Sequence, residues 1–293
     1  MKPTNRKDSP ATCRTPLTAK RLLTGILLAL SAGLTAPAQQ TVFNDTFGTS
    51  SLDQTNIAGG IPGGIPTTSQ TSYTVVSAKN ALASNIAANH LQIITASTSS
   101  GNTEVQAQFT KYPVTLASIG DFVELTYTFT DLAPILQSSE ANNQDALFVG
   151  IFNSGGVAPQ SGTVLANGGF SSSLTSEDTG GTINWVGYSA QMYGSTSGWR
   201  LYSRPVQTAQ NNMNQGLLYN YTQAGANGGS IVPLSPDLTS GQQYTVQLRV
   251  TLSAAGQLTV SNAFYTGTST AGAQFTNTSW TVTGANVLST NFD

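Results

Sequence analysis

Apolar and polar residues alternate with a period of two through two long segments of this chain. In Phe122 to Thr130, Val123, Leu125, Tyr127 and Phe129 fall on one face, with Glu124, Thr126, Thr128 and Thr130 on the other. In Tyr244 to Leu252, Tyr244, Val246, Leu248, Val250 and Leu252 oppose Thr245, Gln247, Arg249 and Thr251. Successive side chains of a strand point to opposite sides, so both segments predict strands with one buried and one wet face, as in antiparallel sheets. The second runs through Ser253-Ala254-Ala255-Gly256 into Gln257-Leu258-Thr259-Val260, a short glycine-bearing connection that predicts a hairpin. Less regular strand patterns cover Val42 to Phe47, Tyr73 to Val76, Leu91 to Ala96, Val105 to Phe109, Ala146 to Phe152, Ile183 to Tyr193, Trp199 to Arg204 and Ser279 to Thr283. The run Ala146 to Phe152 is apolar on both faces, which predicts a central strand. Helical spacing is confined to Ala78 to Ala88. Glycine clusters at 58–64, 153–156, 180–181 and 225–229 punctuate the strands, and many short strands so divided predict an all-β antiparallel sandwich or barrel. The polar stretch from Gln207 to Tyr221 is too long for a plain turn and is a candidate binding loop.

The first residues follow a different pattern. Lys2, Arg6, Lys7, Arg14, Lys20 and Arg21 precede the apolar run LLTGILLALSAGLT of residues 22–35, which is shorter than the roughly 20 residues a membrane-spanning helix needs. The triplet Ala36-Pro37-Ala38 places small residues where a signal peptidase accepts them, so residues 1–38 are expected to be an export signal cleaved after Ala38. The mature chain is then secreted or held at the cell surface, and no later apolar run is long enough to span a membrane.

Cleavage changes the chemistry of what remains. The single cysteine, Cys13, leaves with the signal, so no disulfide, thiolate nucleophile or thiolate metal site is expected. The chain has eleven Lys and Arg against thirteen Asp and Glu; without the six bases and one acid of the signal, five face twelve. Those five, Lys79, Lys111, Arg200, Arg204 and Arg249, are scattered, which excludes the clustered cations of a nucleic-acid surface. The length of residues 39–293 suits one large all-β domain or two small ones.

The opening Val42-Phe43-Asn44-Asp45-Thr46-Phe47, the strands around Phe122 to Phe129 and Ala146 to Asn153, the hairpin from Tyr244 to Val260 and the closing Asn291-Phe292-Asp293 resemble the concanavalin A-like lectin/glucanase superfamily. The layout resembles secreted bacterial proteins that join such a domain to a C-terminal sorting anchor. The resemblance implies a concanavalin A-like jelly roll over residues 39–293 whose first and last strands pair. The last family strand and the anchor have no counterpart after Phe292-Asp293, which is the expectation for a fragment.

Catalytic members of that superfamily carry Glu-x-Asp-x-x-Glu on one strand, and this spacing is absent. Phe122 to Thr130 offers only Glu124 on its polar face, with Asp121 and Asp131 beyond its two ends, whereas glycoside hydrolysis needs two carboxylates roughly 5–9 Å apart. His90 is the sole histidine and reads as a surface residue at the start of a strand, so neither a Ser-His-Asp arrangement nor a histidine zinc site is expected. Calcium, which oxygen ligands alone can hold, is the one metal considered, at Asn143 and Asp145 or at Glu177 and Asp178; otherwise no cofactor is expected. Aromatic and cationic residues provide the binding candidates. Trp185, Tyr193, Trp199, Arg200, Tyr202 and Arg204 crowd a short stretch, and such a mixture can stack on sugar rings while hydrogen-bonding their hydroxyls. The same residues equally suit a sandwich core. The expected function is therefore non-catalytic: carbohydrate binding to a polysaccharide or cell-envelope glycan, or service as an envelope or matrix component. The alternatives are a divergent glycan-active hydrolase or lyase and a purely structural surface protein.

Overall fold

A computed structural model of the chain describes residues 39–45, 51–52, 72–78, 84–87, 90–93, 102–107, 109–110, 113–132, 146–155, 185–193, 199–206, 222–223 and 238–293. The chain divides into two units, Met1–Thr41 and Val42–Asp293. The signal and its cleavage residues Ala36 and Ala38 lie outside the described residues, and all strands belong to the second unit. They are β1 (Ser51–Leu52), β2 (Ser72–Ala78), β3 (Ser84–Ala87), β4 (His90–Ile93), β5 (Asn102–Gln106), β6 (Val114–Thr115), β7 (Phe122–Thr130), β8 (Ala146–Asn153), β9 (Val186–Tyr193), β10 (Trp199–Arg204), β11 (Thr222–Gln223), β12 (Gln243–Ala254), β13 (Gln257–Thr266), β14 (Gln274–Thr283) and β15 (Asn291–Phe292).

Two four-stranded sheets, in the orders β14-β13-β12-β7 and β11-β10-β9-β8, make an all-β antiparallel sandwich. Alternation decides which face of each is inside. In the first sheet the register aligns Val123, Val250, Val260 and Trp280 in one row, Leu125, Leu248, Asn262 and Thr278 in the next, and Tyr127, Val246, Phe264 and Thr276 in a third. In the second it aligns Val149, Ala190 and Leu201, then Ile151, Tyr188 and Ser203. One core cluster joins Val123, Leu248, Val250, Leu258, Val260, Trp280 and Val282 to Ile151, Tyr188, Ala190 and Leu201, so the two inner faces pack on each other. A second, aromatic cluster continues that core: Phe264 lies 5.2 Å from Tyr244 and 5.8 Å from Phe129, ring centre to ring centre, with Met192 and Leu238 against them.

The predicted hairpin is β12–β13. Its connection is Ala255-Gly256, and Gly256 takes a φ of 67°, the left-handed region where glycine carries no steric penalty. Three other expectations change. Residues 84–87, within the stretch expected to be helical, form β3 and pair with β4 through Ile86 and Leu91, because a cross-strand partner overrides local alanine propensity. Residues 42–45 are in no strand. Finally, β8 ends its row of described strands instead of lying in the middle. Its double burial arises because Ile151 faces the inner core while Phe152 packs beneath Trp185 on the other side.

The closing residues tie the sandwich together. β15 pairs with β6, Leu116 N–H donates to the Thr290 carbonyl at 2.8 Å, and the Phe292 ring sits fully buried 6.3 Å from that of Tyr188. Asp293 N–H donates to the Phe152 carbonyl at 3.1 Å, and the Asp293 carboxylate accepts from Ser154 N–H and Oγ–H, each at 2.7 Å. The Tyr188 hydroxyl donates to the Asn286 carbonyl at 3.2 Å and accepts from Leu288 N–H at 2.9 Å.

Burial raises the phenols of Tyr127 and Tyr188 above their ordinary value, in Tyr188 against the opposing effect of the backbone N–H bonds. A raised folded-state value means that the unfolded chain loses these protons first. Their contribution is therefore complete below about pH 10 and is lost as the pH rises beyond it. Urea unfolding at pH 8 and pH 11 should show lower stability at the higher pH, and Tyr127→Phe should reduce that difference. Equal stability at both values would contradict the burial of these phenols.

Candidate functional site

The candidate residues gather on the outer face of the second sheet. Rows across β8, β9 and β10 run Phe152, Gly187, Arg204; then Gly150, Ser189, Tyr202; then Phe148, Gln191, Arg200. Trp185, just before β9, packs on Phe152. Four of the six aromatic and cationic candidates, Trp185, Arg200, Tyr202 and Arg204, thus share a face. Tyr193 and Trp199 are placed by backbone register, paired with Ala146 and Met192.

This face is internal. Tyr202 and Gln191 are 0% exposed, Arg204 1% and Trp185 4%. The Tyr202 hydroxyl donates to Gln191 Oε1, and Arg204 Nη1–H donates to the Trp185 carbonyl oxygen. Among the described residues Gln191 Nε2 has no hydrogen-bond partner. Gly187 lets the strands close over one another: a Cβ there would lie 2.3 Å from the Ile151 carbonyl oxygen and 2.6 Å from Phe152 Cδ1. Gln191 is interleaved with these candidates in the sequence. Its signal was present, as a long polar side chain in the strand Val-Gly-Tyr-Ser-Ala-Gln-Met-Tyr, two positions from Ser189 on the same face.

The outer face of the first sheet carries the only strand carboxylate that the sequence offered for catalysis. Glu124 is bound by Arg249, whose Nε–H donates to Glu124 Oε2 at 2.5 Å while Nη2 pairs with the same oxygen. The guanidinium also lies 4.3 Å above the Phe122 ring. Among the described residues no second carboxylate stands beside it. Asp121 accepts from Ala117 N–H and Ser118 N–H in the turn before β7, and Asp131 lies beyond the far end of that strand, about 23 Å from Glu124 at the usual rise per residue. With the Arg249 side chain 38% exposed, the ion pair stabilises by no more than about 1 kcal/mol. A double-mutant cycle of Glu124→Gln and Arg249→Gln should return a coupling within that limit, falling further in high salt.

The remaining candidates divide between the surface and the rest of the chain. His90 is exposed at the first position of β4. Asn143, Asp145, Glu177 and Asp178 lie outside the described residues, as does the loop 207–221. Among the described residues no three His, Cys, Asp or Glu side chains come together as a metal site, and no helix is long and apolar enough to cross a membrane. Compared with known proteins, the chain matches no family model, no curated protein and no solved structure.

Proposed function

We propose that the protein is an exported, non-catalytic β-sandwich that serves as a component of the cell surface or extracellular matrix. In this reading residues 1–38 are the export signal, and residues 39–293 form one domain related to the concanavalin A-like jelly rolls. The observation that carries it is the internal use of the site candidates: Tyr202 bonds Gln191, Arg204 bonds the Trp185 carbonyl and Glu124 bonds Arg249. A hydrolase would need a second carboxylate roughly 5–9 Å from Glu124, and the strands around it supply none. The test is incubation of the full chain with a panel of soluble polysaccharides: no new reducing ends are expected, and turnover abolished by Glu124→Gln would overturn the reading.

One observation favours carbohydrate binding as a second reading. Among the described residues the buried Gln191 Nε2 has no hydrogen-bond partner; it lies beside Tyr202 and Arg200, and a sugar hydroxyl admitted to this face by an opening of what covers it could accept its hydrogen. A glycan array separates the two. A polysaccharide held by the wild-type chain and released by Gln191→Ala would favour this reading, whereas an empty array favours the structural one.

A further inference from the structure

The inner face of the first sheet holds a polar group that nothing around it satisfies. Asn262 is the third member of the row Leu125, Leu248, Asn262, Thr278, between β12 and β14. It is 1% exposed, and among the described residues both its Nδ2 and its Oδ1 lack a hydrogen-bond partner. A buried polar group left unpaired carries the full cost of its lost hydration, so an amide orphaned at both ends is an unstable arrangement unless something small completes it. A second orphan faces the same interior: the Tyr127 hydroxyl, one row along on β7, is buried with no hydrogen-bond partner among the described residues.

These groups specify the chemistry of what completes them. Asn262 presents one donor and one acceptor together, so its complement must both accept and donate. The inner positions of the three central rows are Val, Leu, Phe, Trp, Thr, Tyr and Asn, with no Asp, Glu, Lys or Arg, while Glu124 and Arg249 point out on the opposite face. An ion would meet no counter-charge, and a cation would lack the carboxylates that normally hold it. The Asn262 row neighbours Leu125 and Leu248 belong to the packed core between the sheets, and packing of that density admits no occupant much larger than a water molecule. Thr278, directly opposite Asn262, brings a hydroxyl to about 5 Å between Cβ atoms, so a third polar group borders the position.

We infer that Asn262 is the centre of an internal hydration site, in which one water molecule between the two sheets bridges its amide oxygen and nitrogen and is shared with neighbouring polar groups of β14 or β7. Buried waters of this kind make about three hydrogen bonds each and are retained because the polar atoms they serve cannot reach bulk solvent. The water acts as part of the core, completing a polar position that a purely apolar sandwich would not tolerate.

A crystal structure of the full chain at about 1.5 Å, with oxygen-17 water relaxation in solution, tests the assignment. The expected result is one ordered solvent peak within about 3.2 Å of both Asn262 side-chain atoms, together with long-lived internal water whose signal drops by one molecule per chain in Asn262→Leu. If that variant does not fold, Asn262→Ser, which keeps a hydroxyl, and the wild-type crystal still decide. Direct pairing of both amide atoms with protein groups and no solvent peak would overturn the inference. So would density too large for water, or an unchanged count of long-lived waters in a folded variant.

Discussion

Gly187→Ala is expected to destabilise the fold by about 3 kcal/mol or more, the high end for an overpacked interior position. The added methyl would meet the Ile151 carbonyl oxygen at 2.3 Å and the Phe152 Cα at 2.7 Å. Both belong to β8, which β9 pairs through Phe152 and Gly187 themselves, so side-chain rotation cannot relieve the contact. The strands must separate, and separation breaks the ladder beneath the Trp185–Phe152 packing and the Tyr202–Gln191 bond. Urea denaturation followed by far-ultraviolet circular dichroism would read the loss as a lower midpoint with an unchanged slope. A loss below about 1 kcal/mol would mean that β8 and β9 are not in the register described.

Phe292→Ala should cost about 3–5 kcal/mol, the range for removing a fully buried aromatic side chain. Phe292 is 0% exposed, packs against Tyr188 and belongs to the main core with Leu116, Val250 and Trp280, although it stands one residue from the end of the sequence. Its removal would also loosen the β15–β6 pair and the Asp293–Ser154 bonds that follow it. Thermal unfolding measured by differential scanning calorimetry is the direct readout. A wild-type melting temperature would show that the closing residues pack elsewhere.

Much of the fold was legible because period two reports burial directly. Val123, Val246, Leu248 and Val250 alternate in the sequence and are buried as the alternation requires. The glycine-bearing turn likewise located the β12–β13 hairpin. The alanine-rich segment misled because helix propensity is local, whereas β3 is held by β4, a partner that alternation within β3 does not reveal. Residues apolar on both faces predicted the burial of β8 but not its position in the row, since a covering side chain such as Trp185 buries a strand as effectively as a neighbour does.

The candidate site was legible as a cluster and opaque as to its exposure. Strand alternation was enough to place Arg200, Tyr202 and Arg204 together, and the register then set them against Gln191, Ser189 and Gly187. Whether such a face is open depends on what packs against it, which residue type alone does not encode for Tyr, Trp and Arg. Asn262 was invisible for a related reason. It interrupts an apolar face at one position, and a single polar residue in an alternating strand reads as a small irregularity until the register surrounds it with Leu248 and Thr278.

The central claim, that the aromatic and cationic face of the second sheet is interior structure, is tested most directly by arginine labelling of the native protein with phenylglyoxal and peptide mass spectrometry. Arg249, with its side chain 38% exposed, should be modified under native conditions, while Arg204 at 1% should react only after denaturation. Modification of Arg204 in the folded protein at a rate matching that of Arg249 would contradict the account and would make this face an open surface.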